Sequence, residues 1–574
     1  MRKIAFFIFL IHFLIQLTTL SHYGFNWDEV RRNYRSQAYL HYFLTGKENY
    51  SDLSQPRQSL YQKSPQGLTF SYFASQNIIG HPPIGDLFEA FGNFVFYQQL
   101  GIMSDTDSYH LFIIFTSSIL VASLFLFTAS EYGIFAGFIA TLALSLYPLF
   151  TGESHFNFKD PLEAVFFALS LLTLYKGIVR NSWKWIVASS VFAGIALGTK
   201  FNIFFAGPIA ILWLIIYFWG RIKSLKWPFS RQFTISLISY PFVIFGILYA
   251  FWPYLWQHPI TNLIDTFKYY ALWGYGYRFQ PDNYFVLGGF NTYPLQWIFF
   301  TTPLVTMFLT VFGIIYMLKN GFGEKNKTAI FIFIWLIITL IRVIAPRMGT
   351  TNGVRELFEY IPAMAILSGI GAYYIVKLLP RYVSKLNKKW NMKKIKLILQ
   401  ALIILAFIPI AIKLISIHPN ENVYFNSLIG GLKGAKEHKL YSWGNDFGNA
   451  YRQGANWLNK NVEKNAKVDL AMGGEGNLPR TWLRKDIEFS NELRRNFMQK
   501  NGEYVMERTG ESPTWPNDCY WVYVRNFLKP VYEIKVDSVA IFTIWKNDGE
   551  HTYPEFHSGD KLHVLDGCSP NEGA

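Results

Sequence analysis

Two adjacent carboxylates, Asp28 and Glu29, stand in FNWDEVRR just after the first apolar run, between aromatic residues and two arginines. Ionisable residues recur at the ends of later apolar runs. His81 and Asp86 lie in IGHPPIGDLFEAFGNF, and Glu153, His155, Asn157, Lys159 and Asp160 lie in TGESHFNFKD. Lys200 separates two apolar segments, and Arg342, Arg347 and Arg355 bracket PRMGTTNGVRELFE. A carboxylate beside an apolar wall and close to a second acid has its pKa raised toward neutrality, which suits a general base taking a proton from an incoming hydroxyl. Cations at the same depth suit a lipid phosphate, Arg by bidentate hydrogen bonding and Lys as a point charge. Lys159, Lys200, Arg342 and Arg355 are the candidates for that task. Each residue also has a plain structural reading. Asp28 serves as the polar end of an anchor, Lys200 snorkels, Arg342 pairs with a structural carboxylate, HPPIG is a rigid turn and Asp160-Pro161 starts a helix. The aromatic stretch YYALWGYGYRF reads either as an interfacial belt or as a sugar platform.

The elements that must position these residues follow from composition. Of 574 residues, 51% are hydrophobic, 18% aromatic and only 16% charged, which points to a polytopic membrane protein rather than a soluble enzyme. The formal charge of +15 does not imply a nucleic-acid partner, because the basic residues gather in short loops between apolar runs. Eleven runs are long enough to be candidate membrane spans: Ile4 to Leu20, Tyr109 to Thr128, Tyr132 to Phe150, Leu162 to Ile178, Trp185 to Thr199, Phe201 to Trp219, Phe233 to Trp256, Leu295 to Leu318, Thr328 to Ala345, Tyr360 to Leu379 and Ile395 to Ile417. No A-x-A cleavage site follows the first, so it is expected to remain as a helix.

With the N-terminus in the cytoplasm, Lys176, Arg180 and Lys184, then Arg221 to Arg231, then Lys319 to Lys327, and the run PRYVSKLNKKWNMKKIK fall on the cytoplasmic side. The candidate site residues, and everything after His418, then fall on the opposite face of what is expected to be a prokaryotic plasma membrane. The expected organisation is a transmembrane catalytic domain over 1–417, including an outer loop at 21–108, and an extracytoplasmic α/β domain over 418–574. In the latter, an amphipathic helix is expected around Gly448 to Lys464, with strands at KVDLAMGG, YWVYVRNF, YEIKVDS and VAIFTIWK. Cys519 and Cys568 make no zinc pattern, and a single bridge between them remains open.

An Asp-Glu pair after the first helix, the amphipathic RRNYRSQAYLHYFLTG behind it, and HPP with a small residue two positions on together resemble the GT-C superfamily of membrane glycosyltransferases, in its protein O-mannosyltransferase and aminoarabinose-transferase branch. NGVRELFEYIPAMAILSGIG, HPNENVYFNSLIGG and YSWGNDFGNAYRQGANWL are similar to stretches of bacterial members. The resemblance implies an α-helical polytopic fold of GT-C type and an inverting transfer of a sugar from a polyprenyl-phosphate donor to an acceptor hydroxyl. Asp28 would be the catalytic base, Glu29 would help hold the acceptor, His81 would approach the donor head group and Asp160 would be a second acid of the site. The family often carries Lys where this chain has Asp86, so donor phosphate must rest on other cations. No cofactor is required; a divalent metal bridging Asp28 and Asp160 is compatible with phosphate chemistry. The alternative is a transporter or flippase, which predicts internal repeats and ionisable residues at mid-membrane, whereas here the charges cluster at helix ends and no repeat is visible.

Overall fold

Apolar runs in hydrocarbon must satisfy their own backbone hydrogen bonds, which selects helices. The structure, a computed structural model, describes all residues except 27, 51–52, 54–56, 64–67, 76–80, 223–228, 277–285, 288, 321–325, 346–349, 351–352, 387–390, 445–447, 471–477, 491–501, 509–518 and 554–574. It is a mostly helical polytopic membrane fold with one small sheet near the C-terminus. Among the described residues, eight helices are long and apolar enough to span a bilayer: Arg2–His22, Asp107–Tyr132, Asp160–Val179, Phe201–Trp219, Arg231–Phe251, Lys327–Ile344, Tyr360–Val383 and Met392–Ile417. Two more runs are bent, Ile134–Ser145 with Pro148–Phe156 by 60° and Tyr293–Thr301 with Leu304–Asn320 by 114°. Pro148 and Pro303 stand at these breaks, where a missing N–H interrupts the helical ladder.

If each bent pair is one span the number rises to ten, not the eleven expected. The difference is the run Trp185 to Thr199. It forms the 15-residue helix Trp183–Leu197, about 22 Å long and short of a hydrocarbon core of about 30 Å. The helix gives way to Gly198, whose carbonyl accepts from the Ile84 N–H at 2.7 Å. Lys200 then turns inward to a partner carboxylate instead of continuing an apolar helix.

The chain forms two compact units. Met1–Leu20 and Arg31–His418 make the first, in which Asp107–Tyr132, Asp160–Val179 and Tyr360–Val383 are the most enclosed spans. Ser21–Val30 and Pro419–Ala574 make the second. The segment around Asp28, expected within an outer loop of the helical domain, therefore belongs with the C-terminal unit.

That unit holds a mixed five-stranded sheet in the order Glu488–Phe489, Lys467–Leu470, Glu503–Arg508, Val539–Asn547 and Pro530–Val536. The first three strands run parallel, and the remaining two pair antiparallel. Asp537 and Ser538 join the last two strands with φ of 48° and 65°, the left-handed pair that a tight hairpin turn requires. The expected amphipathic helix is Tyr451–Asn461. YWVYVRNF, expected as a strand, is instead the helix Cys519–Phe527. Tyr523, Val524 and Phe527 share one buried face, Tyr523 and Phe527 stack at 5.4 Å, and the Tyr523 hydroxyl donates to Asn547 at 2.8 Å. Helical spacing of these aromatics overrides their β-propensity. Cys568 and the side chain of Cys519 lie outside the described residues, as do Arg347 and most of the side chains of YYALWGYGYRF.

Candidate active site

In the first unit the helix Asp160–Val179 begins at a compact polar turn. The Asn157 side-chain oxygen accepts from the backbone N–H groups of Lys159 and Asp160, both at 3.2 Å, while its amide donates to Glu153 and to Asp160. Pro161 follows in the first turn, where its missing N–H costs nothing. Asn157 thus does the capping that sequence assigns to Asp160, leaving the Asp160 carboxylate for cations. Lys200 Nζ lies 2.8 Å from one of its oxygens and Arg355 lies 3.9 Å from the other. All three side chains are buried, so the charges are held by each other rather than by water. Lys200 is accordingly not a snorkelling side chain. Burial acts against its ammonium, but Asp160 and the acids at Glu356 and Glu359 raise it above its ordinary value and keep it charged.

A second knot lies beside this one. Arg342 donates to Glu359 at 3.1 Å and to the Glu356 carbonyl at 3.0 Å, and Asn202 donates to the same two partners. Lys200 also reaches the Glu356 carbonyl, at 3.3 Å, which ties the two knots together. Burial acts to raise the Glu359 carboxyl, but Arg342 and Lys200 outweigh it and hold it below its ordinary range. Arg342 stacks over the Phe205 ring at 5.0 Å.

The HPP turn enters the same region. Pro82 and Pro83 lead into the helix Ile84–Asn93, and a Cβ on Gly85 would press on Phe158 and Thr199, so the turn lies against both the Asp160 and the Lys200 segments. Asp86 accepts from Arg35 Nε at 2.8 Å and lies 3.5 Å from Arg32. Arg35 also donates to the His81 carbonyl at 2.8 Å, and Arg32 stacks over Phe158 at 5.0 Å. Two buried guanidinium groups thus share one carboxylate. The Tyr270 hydroxyl meets His81 Nδ1. Burial, together with Lys159, Arg32, Lys200 and Arg35, pushes His81 well below its ordinary value, leaving a neutral imidazole in a positive field. Arg35 and Glu359 were not singled out from sequence, and Arg32 and Tyr270 lay in quoted stretches without a role of their own. The usable signal for the arginines was their spacing, three apart on one helical face directly after the Asp-Glu pair.

Asp28 and Glu29 lie in the second unit. The Asn26 side chain accepts from the Asp28 N–H at 3.0 Å, and Glu29 Oε1 accepts from the Asn26 N–H at 2.7 Å. This is a reciprocal cap on the helix Glu29–Thr45. Glu29 is fully buried and Asp28 is half-buried. Arg32 and Arg35 follow in the same helix. Among the described residues no group of three or more His, Cys, Asp or Glu side chains that could hold a metal ion is found.

Residues 80–245, from the HPP turn through Asp160 and Lys200, match the family model of dolichyl-phosphate-mannose-protein mannosyltransferases. The chain matches that model over a little under a third of its length. Among solved structures it aligns with the ArnT of Cupriavidus metallidurans bound to undecaprenyl phosphate at 12% identity, covering 96% of this chain and 99% of that one, with a TM-score of 0.46. It aligns with the oligosaccharyltransferase of Archaeoglobus fulgidus at 12% identity, over 95% and 74% of the two chains, with a TM-score of 0.48. The arabinofuranosyltransferase AftD from Mycobacteria gives 12% identity over 96% and 40%, with a TM-score of 0.39. No curated protein matches the chain in sequence.

Proposed function

We propose that the protein is an inverting glycosyltransferase that moves a sugar from a polyprenyl-phosphate donor to an acceptor hydroxyl on the extracytoplasmic side of a prokaryotic plasma membrane. As the acceptor oxygen attacks the anomeric carbon, its proton passes to the Asp28 carboxylate. The bond from that carbon to the phosphate oxygen breaks, and its electron pair leaves with the lipid phosphate. Glu29 helps order the acceptor end of the site. The observation that carries the reading is the shared carboxylate at Asp86: Arg32 and Arg35 together hold one more positive charge than Asp86 cancels, at a turn where the matched family region begins. Lys159 and the neutral His81 complete the proposed phosphate pocket, His81 by hydrogen bonding and Lys159 by charge. Lys200, Arg355 and Arg342 have roles one step removed, because their carboxylate partners at Asp160 and Glu359 are already in place. Asp160 is accordingly the acid that sets this basic cluster rather than a proton acceptor.

The scheme includes no metal. The cations on Asp160 occupy the oxygens that a divalent ion would use, so that carboxylate does not fit as a metal ligand.

The experiment is turnover of dolichyl phosphomannose, followed as release of dolichyl phosphate, by the full-length protein in lipid bilayers supplied with a membrane extract as the acceptor source. Asp28→Asn is expected to lower release by about 10²- to 10⁴-fold while retaining donor binding. Full activity in that variant would remove the base, and loss of wild-type activity on chelation would restore a metal to the scheme.

A further inference from the structure

The chain leaves the helical unit at Leu20, passes through the second unit as Ser21–Val30, and re-enters the helical unit at Arg31. Three residues of this excursion are held by distant parts of the sequence. The Tyr23 hydroxyl donates to Glu421 Oε2 at 2.8 Å, both groups being buried, and the Tyr23 carbonyl accepts from Arg452 Nη1 at 3.2 Å. The Gly24 N–H donates to the Asn449 carbonyl at 3.1 Å. Phe25 stacks on Trp482 at 5.2 Å, and the Arg452 guanidinium lies over the same indole at 5.1 Å. Arg452 therefore joins the hydrogen bond on Tyr23 to the ring that holds Phe25. Asn449 is fixed in turn by its own side-chain amide, which donates to the Pro419 carbonyl at 3.1 Å. Gly24 has no room for a side chain, because a Cβ there would run into the Asn449 carbonyl.

These contacts end where the Asn26 cap begins, and that cap fixes the Asp28 N–H and the first turn of the next helix. We propose that Tyr23, Glu421, Asn449, Arg452 and Trp482 form a clamp by which the C-terminal unit sets the orientation of Asp28. The proposal rests on the reading of Asp28 as base. It gives the C-terminal unit a part in the chemistry through positioning, with none of the clamp residues touching substrate. A loop of this kind is otherwise free to sample many backbone states, and a carboxylate that must take a proton in the transition state loses most of its effect when displaced by about 1 Å. Burial and the nearby Glu421 carboxylate hold the Tyr23 phenol well above its ordinary pKa, so it remains a donor at every working pH.

The test uses the full-length protein in lipid bilayers with two readouts, hydrogen exchange of peptides covering residues 22–34 and turnover of dolichyl phosphomannose. Tyr23→Phe and Arg452→Ala are expected to raise exchange in 22–34 by about tenfold or more, with no change in the strand Val539–Asn547. Turnover is expected to fall about 10- to 100-fold in kcat, with the KM for donor shifted less than twofold. Glu421→Gln keeps an acceptor for the tyrosine hydroxyl and is expected to stay near wild type, whereas Glu421→Ala follows Tyr23→Phe. Unchanged exchange in 22–34, or loosened exchange with undiminished kcat, would overturn the clamp. Gly24→Ala provides a second route to the same displacement if a larger truncation prevents folding. An active Asp28→Asn variant would instead strike at the base assignment, so the two failures are told apart.

Discussion

Asp28 and Asp160 are both acids at the N-terminal ends of helices, yet their surroundings differ in kind. Asp160 is fully enclosed, and Lys200 and Arg355 approach its two oxygens. Asp28 is half-buried, and the backbone around it is held by the Asn26 cap and by the grip on Tyr23, Gly24 and Phe25. An acid bound by cations is stabilised as a carboxylate and has little tendency to take a proton. A residue held through its main chain is positioned without an ion pair having to fix its charge state. Charge pairing at one acid and backbone positioning at the other fail in different ways when disturbed.

The sharpest break in that contrast is Asp28→Asn, expected to lower transfer by about 10²- to 10⁴-fold, the usual contribution of a general base, with an unchanged melting temperature. Dolichyl phosphate release set against a thermal melt checks both halves. Asp160→Asn should do the reverse in kind, leaving Lys200 and Arg355 buried without their carboxylate and costing about 3–5 kcal/mol of stability. It would read as a depressed melting temperature and reduced yield before any activity is measured, and a normal melt would show that Asp160 is not the keystone of this cluster.

A third test moves to the sheet of the second unit. Burial pushes the Glu507 carboxyl from its ordinary value up to about 7, against the opposing pull of Arg525. A raised folded pKa gives stability that is complete below about pH 4.5 and is lost as pH rises through about 7, worth about 3 kcal/mol in total. Glu507→Gln should therefore flatten the stability of the second unit between pH 5 and 8, and an unchanged slope in thermal melts across that range would refute the assignment. The smallest expected effect is Arg35→Lys, which keeps the charge but loses the forked contact to Asp86. About a tenfold rise in donor KM is anticipated, with kcat nearly intact; a fall in kcat alone would place Arg35 outside the phosphate pocket.

Much of the fold was legible because hydrocarbon imposes a simple rule: apolar runs become helices. That rule accounts for up to ten of the eleven expected runs among the described residues, two of them as bent pairs. It missed the shortness of Trp183–Leu197, because apolarity says nothing about where Lys200 finds a partner. The helix Cys519–Phe527 was missed for a related reason, since aromatic and β-branched residues favour strands until packing of Tyr523 and Phe527 selects the helical face. In the candidate site, the residue types and their gathering at helix ends could be read directly. Pairing could not: nothing in RRNYRS declares that two of its arginines close on Asp86, or that Arg342 meets Glu359 rather than solvent.

Sequence alone determined that the chain is a polytopic membrane protein with its ionisable residues at helix ends, because the length and apolarity of each run are local properties that hydrocarbon reads directly. Tertiary structure decided which charges pair. It joined Asp160 to Lys200 across 40 residues of sequence and Tyr23 to Glu421 across 398. Such partnerships depend on the distance between groups in space, and electrostatic and hydrogen-bond energies follow that distance with no regard to separation along the chain.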